Sequence, residues 1–126
     1  METPDIEFQD EANTLNFQSA SDKFYNVLQN DLPEFTQLFT NPEKQHMMFY
    51  AALRSIDGLK DNKTKLAVYL RSIGVKHKML GLTHYHMEIG RNAFEQAIFA
   101  GGKDLTHDQR QFYIDSFSQI EKNMGF

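Results

Sequence analysis

The stretch from Ile73 to Ile89, IGVKHKMLGLTHYHMEI, holds three of the chain's five histidines, His77, His84 and His86. Imidazole can ligate a metal, move a proton or orient a nucleophile. A zinc reading fails on spacing: His84 and His86 lie two apart at the start of a helix and point to different sides, and no nearby carboxylate completes a four-ligand set. A hydrolase reading fails as well, because no elbow or other fixed motif brings Ser72 or Ser116 to a histidine. There is no cysteine, which removes disulfides, thiolate metal sites, iron–sulfur clusters and cysteine nucleophiles. His84 and His107, each just inside a helix start, read as solvated surface residues. His77 differs. It ends an apolar stripe of Leu66, Tyr69, Leu70 and Ile73 at three- and four-residue steps, so it extends an inward helix face.

Two further polar groups share that placement. Tyr25 is wedged between Phe24 and the Val27, Leu28 pair, and Gln45 heads a stripe that continues through Met48, Phe49, Ala52, Leu53 and Ile56. Each alone reads as a core residue satisfied by one hydrogen bond. One polar group on each of three apolar faces, however, is the pattern of a pocket for a large flat apolar ligand with one reactive centre.

The elements that must position these groups are all helical. Seven glycines, three prolines and no alternating segment bounded by hairpin dipeptides leave nothing that reads as strand. The first helix opens near SASD, capped by Ser19 or Ser21, and stops before Pro33. Pro33 begins a short helix containing Phe35, Leu38 and Phe39, and Asn41-Pro42 repeats the signature for a helix ending around Gly58. After the polar loop KDNK comes the His77 stripe. Gly81 and Thr83 then mark a turn and cap for a helix that Gly101-Gly102 breaks, and Thr106 with Gln109 forms a capping box for the last. A chain of 126 residues suits one domain over its full length, 1–126, with residues 1–18 loose at its start.

The formal net charge is -4, with 13 basic residues scattered among 17 acidic ones, which gives no electrostatic footprint for nucleic acid or anionic lipid. The acidic start METPDIEFQDEANTLNFQ lacks the features of a signal peptide, and no apolar stretch reaches the length of a membrane span. The cytoplasm is therefore the expected compartment.

At this point the residues resemble the globins, particularly the single-domain bacterial haemoglobins and the globin domain of flavohaemoglobins. FYNVLQNDLPEFTQLF, from Phe24 to Phe39, is similar to the run through their second and third helices. QHMMFYAAL, from Gln45 to Leu53, resembles the start of their distal helix, and IGVKHKMLGLTHYHMEIGRNAF resembles the proximal histidine region with the helix that follows. The combination is specific although each piece alone is weak.

That resemblance implies a haem b cofactor, with His77 as the proximal iron ligand and Tyr25 and Gln45 as the distal polar pair. Phe39 would pack on the porphyrin, Phe49 would form the apolar distal wall, and Lys76 would pair with a propionate. At a helix end the second imidazole N–H can donate to a carbonyl one turn back, with Ile73 the natural partner. The implied function is binding of oxygen, nitric oxide or carbon monoxide, with nitric oxide dioxygenation a further possibility. Since the chain ends at Phe126, without the reductase of flavohaemoglobins, turnover would need electrons from a separate protein. The family's proximal tyrosine position holds His86, and Glu121 is the candidate for its glutamate. The short span from Phe39 to Gln45 leaves no room for the small helix found there in many relatives. It resembles the truncated globins, but their glycine pairs around the distal helix are missing, so the expected fold is a three-over-three sandwich with a shortened first helix. A haem-based gas sensor and a haem-free globin-fold interaction module are the alternatives.

Overall fold

The computed structural model describes residues 14–38 and 41–126, and these form helices joined by short turns, with no strand among the described residues. In chain order they are α1 (Phe17–Asp31), α2 (Phe35–Leu38), α3 (Pro42–Gly58), α4 (Lys63–Met79), α5 (His84–Gly101) and α6 (His107–Asn123). Phe39, expected against the porphyrin, lies outside the described residues.

Local chemistry sets the boundaries. Helix α1 starts earlier than its SASD motif predicts, because the Asn16 side chain accepts the Ser19 amide at 2.9 Å and leaves Ser19 and Ser21 inside the helix. Leu15, within the segment expected to be loose, is buried in the core. Asn41 and Asn62 cap α3 and α4 through the Lys44 and Lys65 amides, each at 3.1 Å. Thr83 and Thr106 close reciprocal capping boxes with His86 and Gln109, each satisfying orphan donors of the first turn.

Packing is concentrated in four helix pairs: α1 with α5, α4 with α6, α1 with α3, and α5 with α6. The α1–α5 crossing is the closest. A methyl placed on Gly101 would lie 2.5 Å from the Asn16 carbonyl oxygen and 2.9 Å from Ala20 Cβ, so only hydrogen fits there. Gly74 plays the same part where α4 meets α6, with Asn123 Cβ 2.7 Å and the Ile120 carbonyl oxygen 2.8 Å from any added Cβ. The carbonyls of Gly102 and Leu105 both accept from Arg110, which closes the α5–α6 turn.

An aromatic column crosses the core. Phe24 of α1 stacks on Phe49 of α3 at 4.0 Å between centroids, Phe49 meets Phe94 of α5 edge-on at 6.1 Å, and Phe94 meets Phe117 of α6 at 4.9 Å. Each offset or edge contact adds about 0.5–1.5 kcal/mol beyond burial. This column fixes the rotation of α3, which differs from the expected stripe by one member. Leu53 and Ile56 are buried as predicted, but Met48 is 55% exposed, because the ring contacts of Phe49 and of His46 carry the inward face around the helix away from it. No helix among the described residues is long and apolar enough to cross a membrane.

Candidate functional site

His77 sits in the last turn of α4, half-buried, and its Nδ1 lies 2.8 Å from the Ile73 carbonyl oxygen. A carbonyl can only accept, so Nδ1 carries a proton, and of the two neutral tautomers this contact selects the one with its lone pair on Nε2. No protein group bonds that second nitrogen among the described residues. The contact to Ile73 is the one helical spacing leads one to expect at a helix end.

His86 shows the opposite tautomer. Its Nδ1 accepts the Thr83 amide at 3.0 Å, so Nε2 carries the proton and donates to Glu34 Oε1 at 3.1 Å. Both ring nitrogens are thereby used. His86 ties the start of α5 to the residue just before α2 and has no lone pair to offer a metal. His84 is exposed, 3.9 Å from Glu88 and stacked on Phe126, and His107 is exposed. Of the histidines between Ile73 and Ile89, His77 alone presents a free nitrogen from a partly buried helix face.

Neither residue considered as a support for His77 bonds to it. Glu121 belongs to Arg91, whose Nε lies at 3.1 Å, while Arg91 Nη2 contacts the same carboxylate and also donates to Ser118 at 2.8 Å. The guanidinium lies 5.1 Å above the Phe117 ring, so Glu121 serves the α5–α6 contact. With His86 held by Thr83 and Glu34, the backing of His77 is a single backbone carbonyl.

On α1, which is not among the main packing partners of α4, Tyr25 is surrounded by rings: Phe24 at 5.3 Å, Phe35 at 6.1 Å, Phe49 at 6.1 Å and His46 stacked at 5.0 Å. Burial pushes its phenol well above the ordinary value of 10.0, because the charged phenolate loses its hydration there. Tyr25 therefore keeps its O–H as a donor through the neutral range. Gln45 is half-buried in the first turn of α3, and its amide has no hydrogen-bond partner among the described residues. Phe49, one turn on from Gln45, belongs to the aromatic cluster around Tyr25.

Sequence reasoning missed the role of His46. Its ring lies on Tyr25, its backbone carbonyl accepts from Ser21 Oγ at 3.4 Å, and its Nε2 is 3.1 Å from Asp22 Oδ1, outside hydrogen-bond alignment. Thus His46 faces α1 rather than standing beside Gln45. A signal existed in the three-residue step from His46 to Phe49, which puts the two rings on one helix face. The pairing of Glu34 with His86, 52 residues apart, had no local signal.

Among the described residues no group of three or more His, Asp or Glu side chains could hold a bare metal ion. A haem would ask less of the protein, since one imidazole could hold its iron. His77 fits that demand by its tautomer and its free nitrogen. Lys76, next to it, is exposed and makes no ion pair among the described residues, so its ammonium is free to meet an anionic group. No family model, curated protein or solved structure matches the chain.

Proposed function

We propose that this protein is a haem-binding globin that takes up oxygen and other diatomic gases, with His77 as the iron ligand and Tyr25 and Gln45 as donors to the gas. The observation that carries the reading is the state of His77: Nδ1–H anchored on the Ile73 carbonyl, Nε2 bare and without a protein partner, at the end of an apolar helix face. Haem iron, when bound, supplies an open coordination position for oxygen, nitric oxide or carbon monoxide.

The chain's own residues do the rest. His77 holds the iron through Nε2, and the Ile73 carbonyl fixes the ring orientation and tautomer. Because a neutral carbonyl rather than a carboxylate accepts from Nδ1, the imidazole keeps little anionic character, which suits gas binding better than oxygen activation. Tyr25, kept protonated by burial, donates to the gas ligand, and the Gln45 amide is the second donor. A hydrogen bond to a charged acceptor contributes about 1.5–3 kcal/mol, or roughly one to two orders of magnitude in ligand release per bond. Phe49 excludes water, and Lys76 offers a cation to a propionate. Phe39 belongs to the same reading as the ring on the porphyrin. Nitric oxide dioxygenation would draw electrons from a separate reductase. The three-over-three arrangement with a shortened first helix, and a cytoplasmic setting, go with this proposal.

A second reading is favoured by one observation. The Phe24, Phe49, Phe94, Phe117 column fills the middle of the core with side chains, as a haem-free interaction module of the same fold would. Reconstitution with haem separates the two. The expected result is an intense Soret band that is lost in His77→Ala, with oxygen dissociation about ten-fold faster in Tyr25→Phe. A chain that folds but takes up no haem, or a Soret band untouched by His77→Ala, would overturn the haem reading.

A further inference from the structure

One helix of this acidic chain is wholly basic in its charges. Helix α4 carries Lys63, Lys65, Arg71, Lys76 and Lys78, five of the chain's thirteen basic residues, and none of its seventeen acidic ones. All five are exposed, and none has an ion-pair partner among the described residues. Outside α4, Arg91 pairs with Glu121, Lys60 lies 3.5 Å from Asp57, and Arg110 is held by two backbone carbonyls. Between the α4 cations runs an apolar ridge: Val68 is 66% exposed, Val75 44%, Met79 81% and Leu80 74%. Val68, Val75 and Met79 recur at steps of seven and four, so they share one face, with Arg71 and Lys78 three residues on from Val68 and Val75 at its edge.

The opposite face of α4 explains why this one is free. Leu70 and Gly74 are buried, Gly74 against α6, and Leu66, Tyr69 and Ile73 pack on the core. The packing that seats α4 on α6 therefore turns the Val68–Met79 ridge and its cations outward. An apolar centre ringed by unpaired cations is the complement of a protein surface with acidic residues around a small apolar spot. The apolar residues are valines, a methionine and a leucine, without the aromatic anchors that seat a helix in a lipid interface, and half the helix circumference is already committed to the core. A compact protein partner fits better than a bilayer.

We propose that the outward face of α4 is a docking surface for a small acidic electron-transfer protein. The redox character of that partner rests on the haem reading above, since α4 is the helix that carries His77; the docking itself does not. A partner seated on Val75 and Met79 would lie across a single helix from the His77 ring. Redox encounters of this kind use small interfaces and depend on long-range charge for their speed, which suits a short helical face that keeps Lys63, Lys65, Arg71 and Lys78 even with Lys76 given to a propionate.

The test uses the full chain and a plant-type ferredoxin as the acidic one-electron carrier. Isothermal titration of the chain as purified should show binding that weakens at least ten-fold between low salt and 0.5 M salt, and ten-fold or more in Arg71→Glu/Lys78→Glu. Circular dichroism of that variant should match the parent, since both positions are exposed. In the haem-loaded protein the same charge reversal should slow reduction by ferredoxin ten-fold while leaving reduction by dithionite unchanged. Absence of binding at low salt, or equal binding by the charge-reversed chain, would overturn the proposal. So would retention on anionic phospholipid vesicles without ferredoxin binding, which would assign the face to a membrane. Ferredoxin binding that appears only when Glu2, Asp5, Glu7, Asp10 and Glu11 are replaced by amides would overturn it too, by giving the face to the chain's own acidic start. Loss of the Soret band with ferredoxin binding retained would sink the haem reading and leave the docking surface standing.

Discussion

The α1–α5 crossing and helix α4 solve opposite problems. At the crossing, Ala20 and Gly101 bring two backbones together, and Ala20, Ala93, Ala97 and Ile98 are each at most 1% exposed. Helix α4 has one principal partner, α6, two buried residues and a long exposed face. Close-packed small residues make the first a rigid scaffold, because dispersion and burial both depend on filled space. The second is held firmly enough to aim one imidazole and loosely enough to leave a nitrogen and a row of cations for other molecules. The tightest packing and the His77 face therefore lie on different helices, while Tyr25 is carried by α1 itself.

Three changes would break or sharpen that contrast. The largest effect is expected of Gly101→Val, whose side chain meets the Asn16 backbone and Ala20 at once. Backbone atoms cannot rotate away, so a loss of about 3 kcal/mol or more is expected, seen in urea unfolding as a collapsed or non-cooperative transition. A midpoint close to that of the parent would show that the crossing is not close-packed. Gly74→Val comes next, at about 1–3 kcal/mol, because α4 can lift from α6 without opening the α1–α5 core. Its signature is selective: hydrogen exchange should quicken along α4, while α1 and α5 stay protected. Uniform loss of protection would refute the separation of scaffold from site.

The smallest effect concerns alkaline pH. Tyr113 of α6 donates to Asp57 Oδ1 at 3.0 Å, and burial, helped by the Asp57 charge, raises its phenol above the ordinary 10.0. A folded value above the unfolded one means the native state holds its proton longer. Stability from this group is therefore complete below pH 10 and declines as pH climbs beyond it. Tyr113→Phe should flatten that decline in a pH series of thermal unfolding midpoints, and an unaltered slope would show that Tyr113 is not its source.

Much of this architecture was legible from local rules. Asn-Pro at 41–42, the Thr83 turn and the Thr106/Gln109 box act within one helical turn, so boundaries followed from nearest neighbours. The start of α1 was misplaced because Asn16 competed with two equally good serine caps. Tyr25, Gln45 and His77 stood out as polar interruptions of apolar stripes, and the Ile73 partner of His77 was readable because it lies four residues back. Met48 was misjudged because three- and four-residue steps define a broad stripe, and only the stacking of Phe49 on Phe24 chose which edge faces in.

By itself, the sequence determined six helices, their order, the caps at Asn41, Thr83 and Thr106, the absence of cysteine, and which three polar side chains interrupt the apolar faces, since all of these depend on composition or on contacts within a turn. Tertiary packing alone decided that Glu121 serves Arg91 instead of His77, that His86 is spent on Thr83 and Glu34, and that His46 lies on Tyr25. It also decided that the cations and the Val68–Met79 ridge of α4 face outward while Leu70 and Gly74 face in. Those outcomes turn on helix rotation and on partners far apart in the chain, and rotation is set by how whole faces interlock.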